Sequence, residues 1–272
     1  MGHITSRLGF FTFVLSLMVV SATAQATEIE FAEQQLISTA EAGPKGVDVG
    51  DIDGDGDIDV VTATAETVSW QENLGNGDEW ATRLIEDVSS GGADDVGVAD
   101  MDNDGDLDVV AARTTNGLIE WYENTVGDGS TWTVRTITNT VTTPRAIDLG
   151  DPDGDGDVDV VSASGFGTTE WYDNTAGDGT AWTTRAVSTG AINHQDVIFT
   201  DVDRDGDADV MICGEEVNLN WYDNTAGDGS AWTSRSILTL GFKNDPNFAV
   251  AAGDLDGDGD IDAVSSFTVD QT

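Results

Sequence analysis

The chain has 272 residues and a formal net charge of −42, from 52 acidic residues against 10 Lys and Arg. That balance excludes nucleic acid, whose phosphates need a basic surface, and argues in the same way against anionic membranes. The single cysteine, Cys213, allows no intrachain disulfide and lies in an apolar run that reads as a buried, inert thiol, so stability must come from packing and bound groups.

Residues 1–26 read as a secretory signal peptide. Arg7 supplies a positive start, residues 10–20 form an apolar run too short to span a bilayer, and Ala24-Gln-Ala26 is a small-residue cleavage signature. An N-terminal membrane anchor is the alternative. The expected domain is residues 27–272, and the expected location is secreted: extracellular, periplasmic or at the cell surface.

The rest of the chain is spaced by one nine-residue segment that occurs five times. It opens at Asp51, Asp100, Asp151, Asp201 and Asp254, at steps of 49, 51, 50 and 53 residues. Acidic residues fill positions 1, 3, 5, 7 and 9 of every copy. These are Asp51, Asp53, Asp55, Asp57 and Asp59 in the first, and Asp100, Asp102, Asp104, Asp106 and Asp108 in the second. Asp151, Asp153, Asp155, Asp157 and Asp159 follow, then Asp201, Asp203, Asp205, Asp207 and Asp209, then Asp254, Asp256, Asp258, Asp260 and Asp262. Position 6 is always glycine: Gly56, Gly105, Gly156, Gly206 or Gly259. Hard oxygen ligands on a short loop that turns at a glycine are what Ca²⁺ requires, and without a cation the carboxylates repel one another. These loops hold 25 of the 52 acidic residues, so the charge is largely a matter of five expected Ca²⁺ sites.

A helix–loop–helix calcium site would need a bidentate Glu at position 12, where Thr62, Ala111, Ser162, Ile212 and Ser265 stand instead. The flanks are β-like, with Val47-Asp-Val49 before the first loop and Val60-Val61 after it. An aromatic strand comes next in each unit (Trp70-Gln-Glu-Asn73, Trp121-Tyr-Glu-Asn124, Trp171-Tyr-Asp-Asn174, Trp221-Tyr-Asp-Asn224). A glycine-rich turn then leads to a fourth strand that opens at Trp80, Trp132, Trp182 or Trp232 and carries Arg83, Arg135, Arg185 or Arg235. Four short strands in about 50 residues make one β-propeller blade. A single blade cannot bury its own faces, so the repeated tryptophans are expected to fill the interfaces between blades and each Arg to be an ion-pair or stacking partner.

Asp-x-Asp-Gly-Asp-Gly-x-x-Asp between two strands, recurring about every 50 residues, resembles the FG-GAP/VCBS repeats, over residues 28–272. The resemblance implies an all-β propeller whose loops bind calcium through side chains at positions 1, 3, 5 and 9 and the carbonyl at position 7. For the first loop these are Asp51, Asp53, Asp55 and Asp59 with the Asp57 carbonyl. The literal Phe-Gly and Gly-Ala-Pro elements of the integrin version are absent, so integrin-like partner binding is not implied. Arg204 stands at position 4 of the fourth loop, where the others have Gly or Asn. Four repeats are complete and the fifth is partial. A fourth-type strand over residues 29–37 suggests either a small ring of five blades or part of a larger propeller.

Function is sought where the repeat breaks. Six and seven residues before each loop the identities scatter, giving Lys45, Asp94, Arg145, Gln195 and Phe248 after Pro44, Ala93, Pro144, His194 and Asn247. Turns after the second strand also vary, at Arg113, Phe166, Glu215 and Glu216. Lys45, Arg145 and His194 are the expected ligand-binding residues of a rim opposite the calcium loops. The expected function is non-catalytic recognition of an extracellular protein or glycan. The alternative is a calcium-dependent polysaccharide lyase or sugar dehydratase, for which His194 is the single histidine after residue 26.

Overall fold

The computed structural model describes residues 36–38, 43–75, 77–188, 193–214, 218–238 and 249–266. All regular structure among them is β. The first blade is β1 (Gly46–Gly50), β2 (Asp59–Ala63), β3 (Thr67–Asn73) and β4 (Trp80–Asp87). The second is β5 (Asp95–Ala99), β6 (Asp108–Arg113), β7 (Leu118–Asn124) and β8 (Trp132–Thr138). The third is β9 (Pro144–Gly150), β10 (Asp159–Ser164), β11 (Thr169–Asp173) and β12 (Thr183–Ser188). The fourth is β13 (His194–Thr200), β14 (Asp209–Gly214), β15 (Asn218–Asp223) and β16 (Thr233–Leu238), and β17 (Val250–Gly253) with β18 (Asp262–Ser265) makes a two-stranded fifth sheet. Each sheet is an antiparallel meander in chain order, as expected for propeller blades. The proposed signal peptide and nearly all of the expected strand over residues 29–37 lie outside the described residues, and Leu36 and Ile37 belong to no strand.

The apolar cores lie between blades. On β6, Val109 and Ala111 pack with Val61, Val68 and Trp70 of the first blade, while Val110 and Ala112 pack with Ile147, Val160 and Tyr172 of the third. Successive side chains of a strand point to opposite faces, so a strand between two blades needs apolar residues at every position. That is why Val109-Val-Ala-Ala112 in β6 and Val160-Val-Ser-Ala163 in β10 are small or branched at every position and all buried. The Trp-Tyr pairs divide in the same way. Tyr122 joins the core with the first blade and Trp121 the core with the third, and Tyr172 and Trp171 repeat this one blade on.

The turn between the third and fourth strands of blades two, three and four is pressed onto the tryptophan of the blade before it. A Cβ at Gly129 would come within 2.5 Å of the Trp70 ring, and Gly129 has φ +66°, so glycine is required twice over. Gly179 on Trp121 and Gly229 on Trp171 repeat the contact. Asn124, Asn174 and Asn224 complete the joint. Each donates through Nδ2 to a loop carbonyl of the preceding blade (Ile52, Met101 and Pro152, at 2.9, 3.0 and 2.7 Å) and accepts a turn amide at 3.0 Å. The repeated arginines act as expected, and in both ways. They pair with Glu72, Glu123, Asp173 and Asp223, and the last three also lie over Trp121, Trp171 and Trp221.

A second set of joints runs along the inner strands, each of which would otherwise present an edge of unpaired N–H groups. Asp48 accepts the amide of Val98 in the next blade at 2.8 Å, and Asp95 accepts that of Ile147 at 2.9 Å. Asp148 accepts Phe199 at 2.6 Å and Asp196 accepts Val250 at 2.8 Å. Four carboxylates thus clasp five inner strands in sequence. A cleft of about 320 Å³ runs beside Asp48, Asp95 and Asp148. Burial, reinforced by mutual repulsion within this group, pushes Asp95 up to about 7 and Asp148 up to about 6, against the backbone amides that favour the charge.

Candidate metal sites in the acidic loops

Each acidic loop joins the first and second strands of a blade and closes on its own amides. The position 6 glycines have φ between 92° and 102° and donate their N–H to the position 1 carboxylate at 3.0–3.1 Å in all five loops. Position 4 is also left-handed, with φ between 60° and 77° at Gly54, Asn103, Gly154, Arg204 and Gly257. Asn tolerates that region well, whereas Arg204 is held there at some cost.

The loops bring positions 1, 3 and 9 together. In every copy one oxygen from each (Asp51, Asp53 and Asp59 in the first) lies within 4.8 Å of the others, close enough to hold one cation. Asp51 Oδ1, Asp153 Oδ1, Asp201 Oδ1 and Asp159 Oδ2 are buried and have no protein donor, which fits ligand atoms for a bound cation. The donor set is carboxylate oxygen throughout, suited to a hard divalent ion.

Position 9 anchors the cluster to the blade. Asp59, Asp108, Asp159 and Asp209 are each 1% exposed, and their Oδ1 accepts the amide of the Asn that ends the third strand or directly follows it, at 2.7–2.8 Å. Their Oδ2 accepts the position 2 amide in loops one, two and four, and Asp262 does the same in loop five. In the third loop position 2 is Pro152, which has no N–H, and Asp159 Oδ2 is left without a partner. Burial pushes Asp59 up to about 6, Asp108 to about 7 and Asp159 to about 8, so the carboxylate with one donor fewer is the most perturbed.

The remaining two positions behave differently. Position 5 (Asp55, Asp104, Asp155, Asp205 and Asp258) accepts the amide of position 7 at 2.8–3.1 Å. The position 7 side chains Asp106, Asp157 and Asp207 lean on the turn glycines Gly127, Gly177 and Gly227, away from the cluster. Position 4 links neighbouring loops where it is not glycine. Asn103 donates to Asp157 Oδ1 at 2.8 Å and to the Gly177 carbonyl, and Arg204 lies 3.4 Å from Asp260 Oδ1.

The expected rim residues are each engaged by a partner within the protein. Lys45 is paired with Asp94 of the next blade, and Arg145 donates to the neutral Gln195 of the next blade. His194 is not a solvent-facing cation. It is fully buried, its Nδ1 is 2.8 Å from Thr169 Oγ1, and burial pushes it down to about 4, so the ring is neutral. The position is buried in blades two, three and four alike, at Ala93, Pro144 and His194, and the inner strand shifts register there in both blade three and blade four. Arg113 is also internal, in a buried ion pair with Glu120 at 2.8 Å, whereas Phe166 is 67% exposed. Glu215, Glu216, Asn247 and Phe248 lie outside the described residues.

Among solved structures the fold is similar to an Agrocybe aegerita lectin described as recognising non-reducing terminal N-acetylglucosamine, with a TM-score of 0.56 and 18% identity. The match covers 81% of this chain and 60% of that one, so this chain spans less than two thirds of the lectin's length. BBS1N in complex with ARL6DN matches with a TM-score of 0.48 and 14% identity, over 71% of this chain and 56% of that one. No curated protein matches the chain. The model of the FG-GAP-like repeat matches four overlapping stretches, residues 51–111, 100–162, 151–212 and 201–265, each running from one acidic loop to the next. With these four matches spanning most of its length, the chain belongs to the FG-GAP-like repeat family.

Proposed function

We propose that this protein is a secreted, calcium-binding propeller that acts as a non-catalytic recognition module for a glycan or a protein. The five three-carboxylate clusters, three of them with unpartnered buried oxygens, carry the reading. Asp at positions 1, 3 and 9 would hold each ion, with position 5 and the position 7 carbonyl completing an oxygen shell. When bound, the ion offsets the repulsion among these carboxylates. Its effect is to hold each loop in register with its joints, because the loop carbonyls of Ile52, Met101 and Pro152 receive the Asn clasps of the next blade. Likeness of fold to a lectin supports recognition of a glycan, and the signal-peptide pattern of residues 1–26 supports export into a medium that contains calcium.

The enzymatic alternative rested on His194, which is buried, neutral and held by Thr169 and so offers no exposed base. A glycan array probed in millimolar calcium, in EDTA, and in EDTA followed by restored calcium tests the reading. Retention of discrete glycans that is lost in EDTA and regained with calcium is the expected result. Binding that ignores calcium would separate recognition from the loops, and turnover of acidic polysaccharides by the purified protein would overturn the non-catalytic assignment.

A further inference from the structure

Three of the four complete blades cover the ring of their third-strand tryptophan in the same way. The Arg135, Arg185 and Arg235 guanidinium carbons lie 5.6, 5.3 and 5.0 Å from the ring centres of Trp121, Trp171 and Trp221. The first blade departs from this. Among the described residues Arg83 makes no such contact with Trp70. Its Nε donates to Glu72 Oε2 at 2.7 Å, and the guanidinium forms one wall of an open groove. The residue after this arginine breaks the repeat as well. Leu84 is 60% exposed at the place where the other blades carry Thr136, Ala186 and Ser236.

The groove holds about 580 Å³, within the range of small-ligand sites. Trp70 closes its floor and Leu84 offers an apolar side. Arg83 and Glu72 stand on one wall, and Asp128 and Ser130 of the second blade's turn stand on the other. That turn is fixed rather than adaptable, since Gly129 rests on the Trp70 ring and the Ser130 amide donates to Asp128 Oδ1 at 3.0 Å.

We propose that this groove between the first and second blades is a binding site for a neutral saccharide unit, which rests on the recognition reading above. The charges select the class. Glu72 and Asp128 oppose an anionic ligand, as does the net charge of −42, and the Arg83 guanidinium opposes a cationic one. A neutral ring that carries hydroxyl groups can donate to the two carboxylates, accept from Arg83 and Ser130, and lay its C–H face on Leu84. The equivalent places in blades two to four are covered by their arginines, so the protein would bind one such unit here and not four.

The test is calorimetric titration of the full chain in millimolar calcium with a panel of neutral mono- and disaccharides and with a lysine-rich peptide. Leu84→Thr installs the residue that the second blade carries there, and Asp128→Asn keeps the turn's acceptor oxygen while removing charge, so both should fold normally. Arg135→Ala in the second blade is the control. The expected result is one saccharide per chain, bound at least tenfold more weakly by Leu84→Thr and Asp128→Asn at unchanged melting temperature, and unaffected by Arg135→Ala. Saccharide binding by the parent that both groove variants retain would overturn this site while leaving the recognition reading intact. Binding of the peptide in place of any saccharide would overturn the ligand class. If the parent binds no saccharide at all, the proposal falls, and recognition then stands or fails on protein ligands.

Discussion

Replacing Asp95 by Asn isolates the cost of the inner carboxylates. Asp95 accepts the amides of Ile147 in the next blade and of its neighbour Val96, at 2.9 and 3.0 Å, with Asp196 and Asp148 adding repulsion. Its folded value of about 7 lies above the ordinary 3.8, so the folded state binds this proton more tightly than the unfolded chain does. The stabilisation from that proton is therefore fully present below pH 4 and is lost as pH rises through 7. Between pH 5 and pH 8 the loss amounts to about 3 kcal/mol, at about 1.4 kcal/mol per pH unit over the two units below 7. Asn keeps an oxygen for Ile147 but sets an NH₂ group against the Val96 amide, a penalty of about 1 kcal/mol at every pH. The parent has already lost about 1.6 kcal/mol between 3.8 and pH 5, so Asp95→Asn should be more stable than the parent by about 3 kcal/mol at pH 8 and by less than about 1 kcal/mol at pH 5. For a domain of this size that is a rise of about 6–12 °C at pH 8 and little change at pH 5. Comparing variant and parent at each pH cancels the acidic loops and His194, which titrate in both proteins. Melts by circular dichroism in EDTA, or urea titrations if the metal-free form melts too low, read the difference. A variant destabilised equally at pH 5 and pH 8 would refute the reasoning, because the clasp would then matter only as a hydrogen bond and its charge would cost nothing.

Three further substitutions probe the joints and the rim. Asn174→Ala removes the donor to the Met101 carbonyl and the acceptor of the Gly179 amide, both buried, and should cost about 3 kcal/mol in urea unfolding at constant slope. His194→Ala should cost about 2–3 kcal/mol, because it empties a fully buried volume, whereas Lys45→Ala at an exposed ion pair should change stability by no more than about 0.5 kcal/mol in the same assay.

Much of the fold was legible because it repeats. The five acidic loops, the doubly apolar second strands and the Trp-Tyr pairs recur at fixed offsets, and each recurrence has a physical reason in the cores between blades. The inner clasps recur in space but not in register. Asp48 and Asp148 stand three residues before their loops, and Asp95 and Asp196 stand five before theirs, so in an aligned sequence they read as scatter. Left-handed backbone at position 4 was hidden in the same way, since Gly, Asn and Arg share it. His194 was read as an open rim residue because its polar identity, beside Ala93 and Pro144 at the same repeat position, hid a place that is buried in blades two, three and four. The open groove at Trp70 was equally silent, since Arg83 sits at the same repeat position as three arginines that behave differently.

Removing the metal tests most directly whether the loops hold this fold together. Extracellular calcium modules bind with Kd on the order of 10⁻⁴ to 10⁻³ M, so at ten times Kd each site contributes about 1.4 kcal/mol and five contribute about 7 kcal/mol. At about 2–4 °C per kcal/mol, a thermal melt in EDTA should fall about 15–30 °C below one in millimolar calcium, and further at low salt, where the bare carboxylates repel more strongly. A shift of only a few degrees, at low salt as at high, would show that packing between blades holds the chain without the ions.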